Sequence, residues 1–458
     1  MYEIIIHNWA ECETVNYRLV LVKGSIRDGG IIDKDACGRI NCSSSSGSSE
    51  WNVHKGTFKC LVTLLVGVND ISLVYGNAER NIRIILKYNE TELCIIPIYL
   101  ICSDHDGRFQ SPEQCDNSVE SACTRIGLGV QLIQCIFGEK LKENGFSKKS
   151  FQIENDIDDS APLCRIFHSK LPLSYARSWD QRNLWEYFGR ELMLSELGSD
   201  NKKYLAFLSC TLWDGSRVIG DPALAGGGLA LIGTGCLHTW PRTLDEVIPC
   251  FTNDTKVDPQ LLDNSFYRGT YGGCFSTTLG SVCHEVGHMF NLGHAETGIM
   301  SRGFDYTNLV FTTGQTIPAE KYNQQRNVDF LPLLEVKSGK MPMKETVLVK
   351  SLTKCSYTED DLTHLTHACA TILAHHKWFN NDSNQLNSIE YDKIRSIVTS
   401  EAGLKVVQIR GVCGAVLKSW EVGKKAICKH LVLPRMFQNK SVTLIAIDSN
   451  GNIHSQQI

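Results

Sequence analysis

The stretch His284-Glu285-Val286-Gly287-His288-Met289-Phe290-Asn291-Leu292-Gly293-His294, followed by Gly298-Ile299-Met300, decides how this chain of 458 residues is read. On an α-helix, residues four apart lie on one side, within about 40° of each other, so His284 and His288 can offer two imidazoles to one ion. Glu285 then stands beside that ion and not on it. A helix that ran on would carry His294 out of reach. Asn291 and Gly293, however, tolerate the left-handed conformation that ends a helix, so the chain can double back and bring a third imidazole. Three protein ligands leave one tetrahedral position of a zinc ion open. Water held there can reach a pKa near ~7, which separates a catalytic zinc from a structural one. Cys283 is no ligand, because neighbouring helical residues diverge by about 100°.

These residues resemble the metzincin clan of zinc endopeptidases, whose pattern is HExxHxxGxxH with a methionine turn beneath the metal. Asn291 stands where most of the clan has Gly, and Asn is the non-Gly residue that best accepts positive φ. Ala295, after the third histidine, matches none of the large secreted groups. The closer similarity is to a thinly characterised family of zinc metallopeptidases with a yeast member. It is carried by Gln131-Leu132-Ile133-Gln134, Gly145-Phe146-Ser147-Lys148-Lys149-Ser150-Phe151, Arg268-Gly269-Thr270-Tyr271 and Gly298-Ile299-Met300-Ser301-Arg302-Gly303-Phe304. The resemblance implies an endopeptidase acting on a peptide or protein substrate, with one zinc per chain on His284, His288 and His294. Glu285 would take a proton from water and pass it to the leaving amine. Met300 would pack beneath the imidazoles without coordinating. A tyrosine two residues after the methionine completes the oxyanion site in some of the clan; here that residue is Arg302, which leaves Tyr271 and Tyr306 as candidates. In the clan the last strand before the metal helix lines the cleft. Gly228 to Gly235, with Leu229-Ala230-Leu231-Ile232 between glycines, is therefore expected to pair with substrate, although a strand buried on both faces would carry the same run.

Composition narrows the partners. The balance of 46 basic against 50 acidic residues, net charge -4, argues against nucleic acid, since phosphate binding needs a concentrated positive field. Lys140, Lys142, Lys148 and Lys149 form the densest basic cluster and read as a solvated face. The start Met1-Tyr2-Glu3-Ile4-Ile5-Ile6-His7-Asn8 has no basic region, signal-length apolar run or small-residue cleavage site. The expectation is a protein that is cytoplasmic or nuclear and not secreted. Nineteen cysteines without repeated spacing then read as buried thiols. No apolar run approaches the ~18 residues that span a bilayer, so no membrane is expected.

The fold class is α+β: a zincin-like, metzincin-like domain at 91–383 between small β-sandwich domains at 1–90 and 384–458. The first ninety residues carry short branched runs such as Tyr17-Arg18-Leu19-Val20-Leu21-Val22 and Ile82-Arg83-Ile84-Ile85-Leu86, separated by turn residues. The tract Cys42–Ser49 reads as a flexible loop. Ala122, Ile126, Val130, Ile133 and Ile136 predict a helix from about Ser118 to Asn144. Leu93 to Ile101, Tyr204 to Leu208 and Gly228 to Gly233 predict strands. A linker is expected at Lys337–Pro342, then a helix from about Glu359 to His376. Its His364, His367, His375 and His376 lack the acid or third ligand of a second metal site. Val406–Ile409, Val416–Trp420 and Val442–Ile447 predict the last β-domain. Two alternatives stand beside the enzyme: a zinc-bearing pseudoenzyme or scaffold that binds partners through its β-domains, and a purely structural zinc.

Overall fold

The computed structural model describes residues 1–156, 162–315, 362–380, 389–411, 413–423, 426–434 and 442–458. The expected linker at 337–342 and residues 359–361 of the helix expected from Glu359 lie outside the described residues; residues 363–366 are not helical, and that helix begins at His367, where the Thr366 side chain caps it. Within them the chain is α+β. The branched runs at the start form β1 (Tyr2–Ile6), β2 (Glu13–Val15), β3 (Leu19–Asp28), β4 (Ile31–Ile32), β5 (Gly38–Ser44), β6 (Gly47–His54), β7 (Thr57–Thr63), β8 (Gly67–Tyr75) and β9 (Ala78–Leu86). They join in the order β1-β3-β7-β6-β5-β8-β9-β2, with β4 on β3. The expected sandwich of two sheets is instead one sheet curled on itself, and Tyr2 meets Tyr75 edge-on at 5.4 Å. Twist accumulated over so many strands brings the far ends together. The serine tract is no loose loop either. It is the tip of a hairpin paired from Gly38↔Val53 to Ser44↔Gly47. A ladder needs only backbone groups, while Ile40, Cys42, Trp51 and Val53 supply its buried row.

The predicted helix is α1 (Val119–Glu143), begun by the Ser118 side chain accepting the Ser121 N–H. Its glycines are docking points: a Cβ at Gly138 would come within 2.1 Å of the Tyr17 hydroxyl, and one at Gly129 within 2.2 Å of Trp240. This places α1 between the N-terminal sheet and a second sheet. That sheet comprises β10 (Cys94–Ile101), β11 (Arg165–His168), β12 (Lys202–Leu208), β15 (Ala223–Gly226) and β16 (Leu229–Gly233). Its order is β11-β10-β12-β16-β15, parallel except for β15. A short ribbon, β13 (Leu212–Trp213) with β14 (Val218–Ile219), precedes β15. Ile95, Tyr99, Leu205 and Phe207 join the core shared with α1, whereas Ile96, Ile98, Leu100 and Ala206 pack with residues of α2 (Leu173–Ser178) and α3 (Gln181–Met193). Neither α2 nor α3 was anticipated, although α3 has an Asp180 cap and buries Leu184, Phe188 and Leu192 at four-residue spacing.

The lysine cluster is not a solvated face. Lys140 and Lys148 are fully buried. Lys148 pairs with Glu139 of α1 and lies 3.7 Å over the Trp9 ring, and Lys140 reaches Glu143 at 3.0 Å. Carboxylates supplied by α1 compensate the cations beneath the N-terminal sheet, and their spacing along the sequence does not announce that match.

After α4 (Val247–Phe251) and α5 (Tyr271–Met289), the chain makes α6 (Asn308–Phe311) and α7 (His367–His375). The last sheet holds β17 (Glu390–Asp392), β18 (Ile397–Arg410), β19 (Val416–Glu421), β20 (Cys428–Val432), β21 (Thr443–Asp448) and β22 (Ile453–Gln457). It too is one sheet and not a sandwich, because the long, bulged β18 pairs with β17, β19, β20 and β21 in turn. A single apolar core runs from the N-terminal sheet through α1, α5 and α7 to Val406 and Ile447. Among the described residues no helix is long and apolar enough to cross a membrane. Every described cysteine is a free thiol, and only Cys12, Cys37 and Cys413 are exposed.

Candidate metal centre

Thr270 caps α5 by accepting the Gly273 N–H at 3.1 Å. Gly280 lets the Phe304 carbonyl press against the helix, and Gly287 does the same for the Met300 sulfur, 2.5 Å from where a Cβ would stand. The helix ends where Asn291 takes a φ of 61°. There the Leu292 N–H donates to Gly287 O and the Asn291 N–H to His288 O, each at 3.0 Å. This is a Schellman ending with Asn in the left-handed position. The chain reverses there and returns His294 to the helix.

His284, His288 and His294 come together at one point. The Nε2 atoms of His284 and His288 are 3.0 Å apart, and those of His288 and His294 3.1 Å. Imidazoles on a tetrahedral zinc at ~2.0–2.1 Å place their nitrogens roughly 3.3 Å apart. The far nitrogens fix the protons: Nδ1 of His284 donates to Ile299 O at 2.8 Å, of His288 to Leu292 O at 2.9 Å, and of His294 to Cys413 O at 3.0 Å. Each Nε2 is then a bare lone pair. Three lone pairs converging at such distances repel one another unless a cation lies between them, so the donor set fits zinc. Burial, then the charge of His288, pushes the His284 pKa down to about 3; burial, then His294, pushes His288 down to about 4. Burial also lowers His294. All three rings are neutral and ready to ligate at pH 7. His284 is buried while the other two are half-buried, which opens the cluster on one side.

Glu285 is buried, and loss of water pushes its carboxyl up to about 7, against the lowering effect of the Ala225 N–H that it accepts. Ala225 belongs to β15, and this corrects the expectation about substrate. Leu229–Gly233 is an interior strand, held by β12 on one side and β15 on the other. The sheet ends at β15, whose Ala-Leu-Ala-Gly sequence lacks the branched residues that mark strands. Met300 is buried under Gly287. Arg302 pairs with buried Asp305 at 2.9 Å and covers Phe304, whose ring meets His284 edge-on at 5.2 Å. Neither tyrosine candidate stands at the histidine cluster. Tyr271 lies at the other end of α5 against His238, roughly 20 Å along the helix axis from His284, and Tyr306 is buried beneath Arg268. Cys283 is buried away from the cluster.

Among the described residues this is the one metal-type grouping. The later histidines serve elsewhere: His364 contacts Thr297 at 3.2 Å, His367 pairs with Glu421 at 2.5 Å, His375 donates to Thr371 O, and His376 packs on Phe290. What sequence reasoning missed comes from far along the chain. The turn after β18 supplies Cys413 O to His294, and Arg410 donates to Asn291 O at 2.7 Å. A separation of 119 residues carries no local signal.

Comparison with known proteins supplies a family. A family model described as "Putative peptidase family" matches residues 3–404. The chain belongs to that family. A protein of Schizosaccharomyces pombe named a putative zinc metalloproteinase is 24% identical over 335 residues, covering 68% of this chain and 54% of its own length. One of Saccharomyces cerevisiae with the same description is 28% identical over 301 residues, covering 57% and 42%. The chain thus spans about half the length of these curated relatives.

Proposed function

We propose that the chain is a zinc-dependent endopeptidase of metzincin type, with His284, His288 and His294 as ligands, Glu285 as general base and then acid, and Met300 as the packing residue beneath them. The observation that carries this is the convergence of three Nε2 lone pairs whose tautomers are fixed by carbonyls, with a buried carboxyl between the first two ligands in sequence. Zinc bound there supplies Lewis acidity, polarising a peptide carbonyl and lowering the pKa of water toward ~7. The protein groups do the rest. Glu285, buried next to His284 in the sequence and held by a backbone N–H, can accept a proton from the attacking water and return it to the departing amine nitrogen. The Ala225 N–H holds that carboxylate in place. An extended peptide would add to the outer edge of β15, displacing the long 3.4 Å bond from the Ala223 N–H to Gln181 Oε1 beside the Ala225 N–H that holds Glu285. The sheet order, with its one antiparallel strand at the cleft edge, supports the zincin reading.

Its test uses the purified chain and an unstructured protein substrate such as casein, with products read by mass spectrometry. Cleavage at internal bonds that stops with a chelator and returns with zinc is expected. A scaffold would hold zinc and cut nothing.

A further inference from the structure

We propose that the C-terminal sheet is a working part of the metal centre, and that Arg410 on β18 is the positioning residue for the third ligand. The inference rests on the zinc reading above. His284 and His288 take their carbonyl partners, Ile299 and Leu292, from within 15 residues. His294 depends on the C-terminal sheet three times over. Its N–H donates to Gly414 O at 3.1 Å, its own carbonyl accepts the Val416 N–H at 3.0 Å, and its ring Nδ1 donates to Cys413 O at 3.0 Å. The ligand is seated as if it were one residue of an added strand, bridged to Ala415.

Arg410 closes on the bend that brings His294 back. Its Nη2 donates to Asn291 O at 2.7 Å, while Nε and Nη2 grip Gln408 Oε1 at 3.0 and 2.6 Å. The guanidinium lies against Gly293, where a Cβ would come within 2.7 Å of Arg410 Nε and 2.8 Å of Gly414 O. A planar fork can span Gln408 and Asn291 together; an ammonium cannot. None of these partners is a carboxylate. The charge itself opposes a bound dication, and it also lowers the pKa of His288 and His294. Geometry and charge therefore pull zinc affinity in opposite directions, and the proposal is that geometry wins.

The test uses the full chain, with zinc affinity from competition against a chromophoric chelator and ligand geometry from the absorption of the cobalt(II)-substituted protein. Arg410→Met keeps the apolar stem and removes both charge and fork; Arg410→Lys keeps the charge alone. Both are expected to weaken zinc about 10- to 100-fold, the usual effect of losing a group that orients a ligand, and to alter the cobalt bands. Val416→Pro, at the first residue of β19, removes one N–H to His294 and is expected to act in the same direction, which decides the matter if the Arg410 variants fail to fold. Ser400→Ala loses a 2.9 Å bond to Asp448 in the same sheet without touching the bend, and should leave both readings unchanged. Folded variants that bind zinc as tightly as wild type with unaltered cobalt bands would overturn the role of Arg410, as would Ser400→Ala weakening zinc equally. Wild-type protein that takes up neither metal would instead overturn the zinc reading itself.

Discussion

Burial sets the chemistry of Glu285, and the same burial has a cost that can be measured. Its carboxyl rises from 4.5 in water to about 7 in the metal-free fold. A group raised on folding favours the fold below its unfolded pKa, and that contribution is lost as pH climbs through the folded value. At pH 8 the penalty is on the order of 3 kcal/mol, the difference between the two pKa values expressed as energy. Metal-free Glu285→Gln is therefore expected to melt above metal-free wild type at pH 8 and alongside it at pH 4, by calorimetry; equal melting at pH 8 would contradict the burial. The histidines shift the other way. With His284 and His288 near 3 and 4, protons compete little with metal, so zinc occupancy should persist from pH 8 down to about pH 5. With ordinary histidines the apparent zinc affinity would begin to fall below about 6.5, and a steep fall starting there would show that the rings are not held as described.

Between β15 and β16 lies the clearest contrast of elements. The N–H groups of Ala223 and Ala225 point away from β16, the first to Gln181 Oε1 at a long 3.4 Å and the second to Glu285, so an incoming peptide would exchange the weaker Gln181 bond for its own. Ala223→Pro is expected to raise KM several-fold with zinc content and melting temperature little changed, whereas Leu231→Pro should unfold the domain. Leu231 is paired with Ala206 on one side and Leu224 on the other. A folded Leu231→Pro protein with weakened substrate binding would return the cleft to β16. The metal helix, its Asn291 ending and α1 were legible because their signals are local: ligand spacing, a residue that accepts positive φ, and apolar recurrence at three and four. The edge strand was not, since Ala223-Leu224-Ala225-Gly226 has no pattern of its own and becomes a strand only by pairing with β16. Both β-domains were legible as β-structure but not as single sheets, because curling and bulges depend on which strands meet.

At the scale of the molecule, the three regions share one core, and α1 is the piece that joins them. Glu139 on α1, 1% exposed, holds Lys148 and stands 3.4 Å from Lys23 of β3. Removing one partner from a buried pair strands the other, so Glu139→Ala should cost ~3–5 kcal/mol in denaturant unfolding; a loss below 1 kcal/mol would mean that water reaches the pair. The central claim is hydrolysis by a zinc site in which Glu285 moves the proton, and the most direct measurement compares wild type with Glu285→Gln for zinc content and peptide cleavage in the same preparations. One zinc per chain in both, with cleavage lowered about 100- to 10,000-fold in Glu285→Gln, is the expected result. Equal cleavage by the two at equal zinc content, or no zinc in wild type, would contradict it.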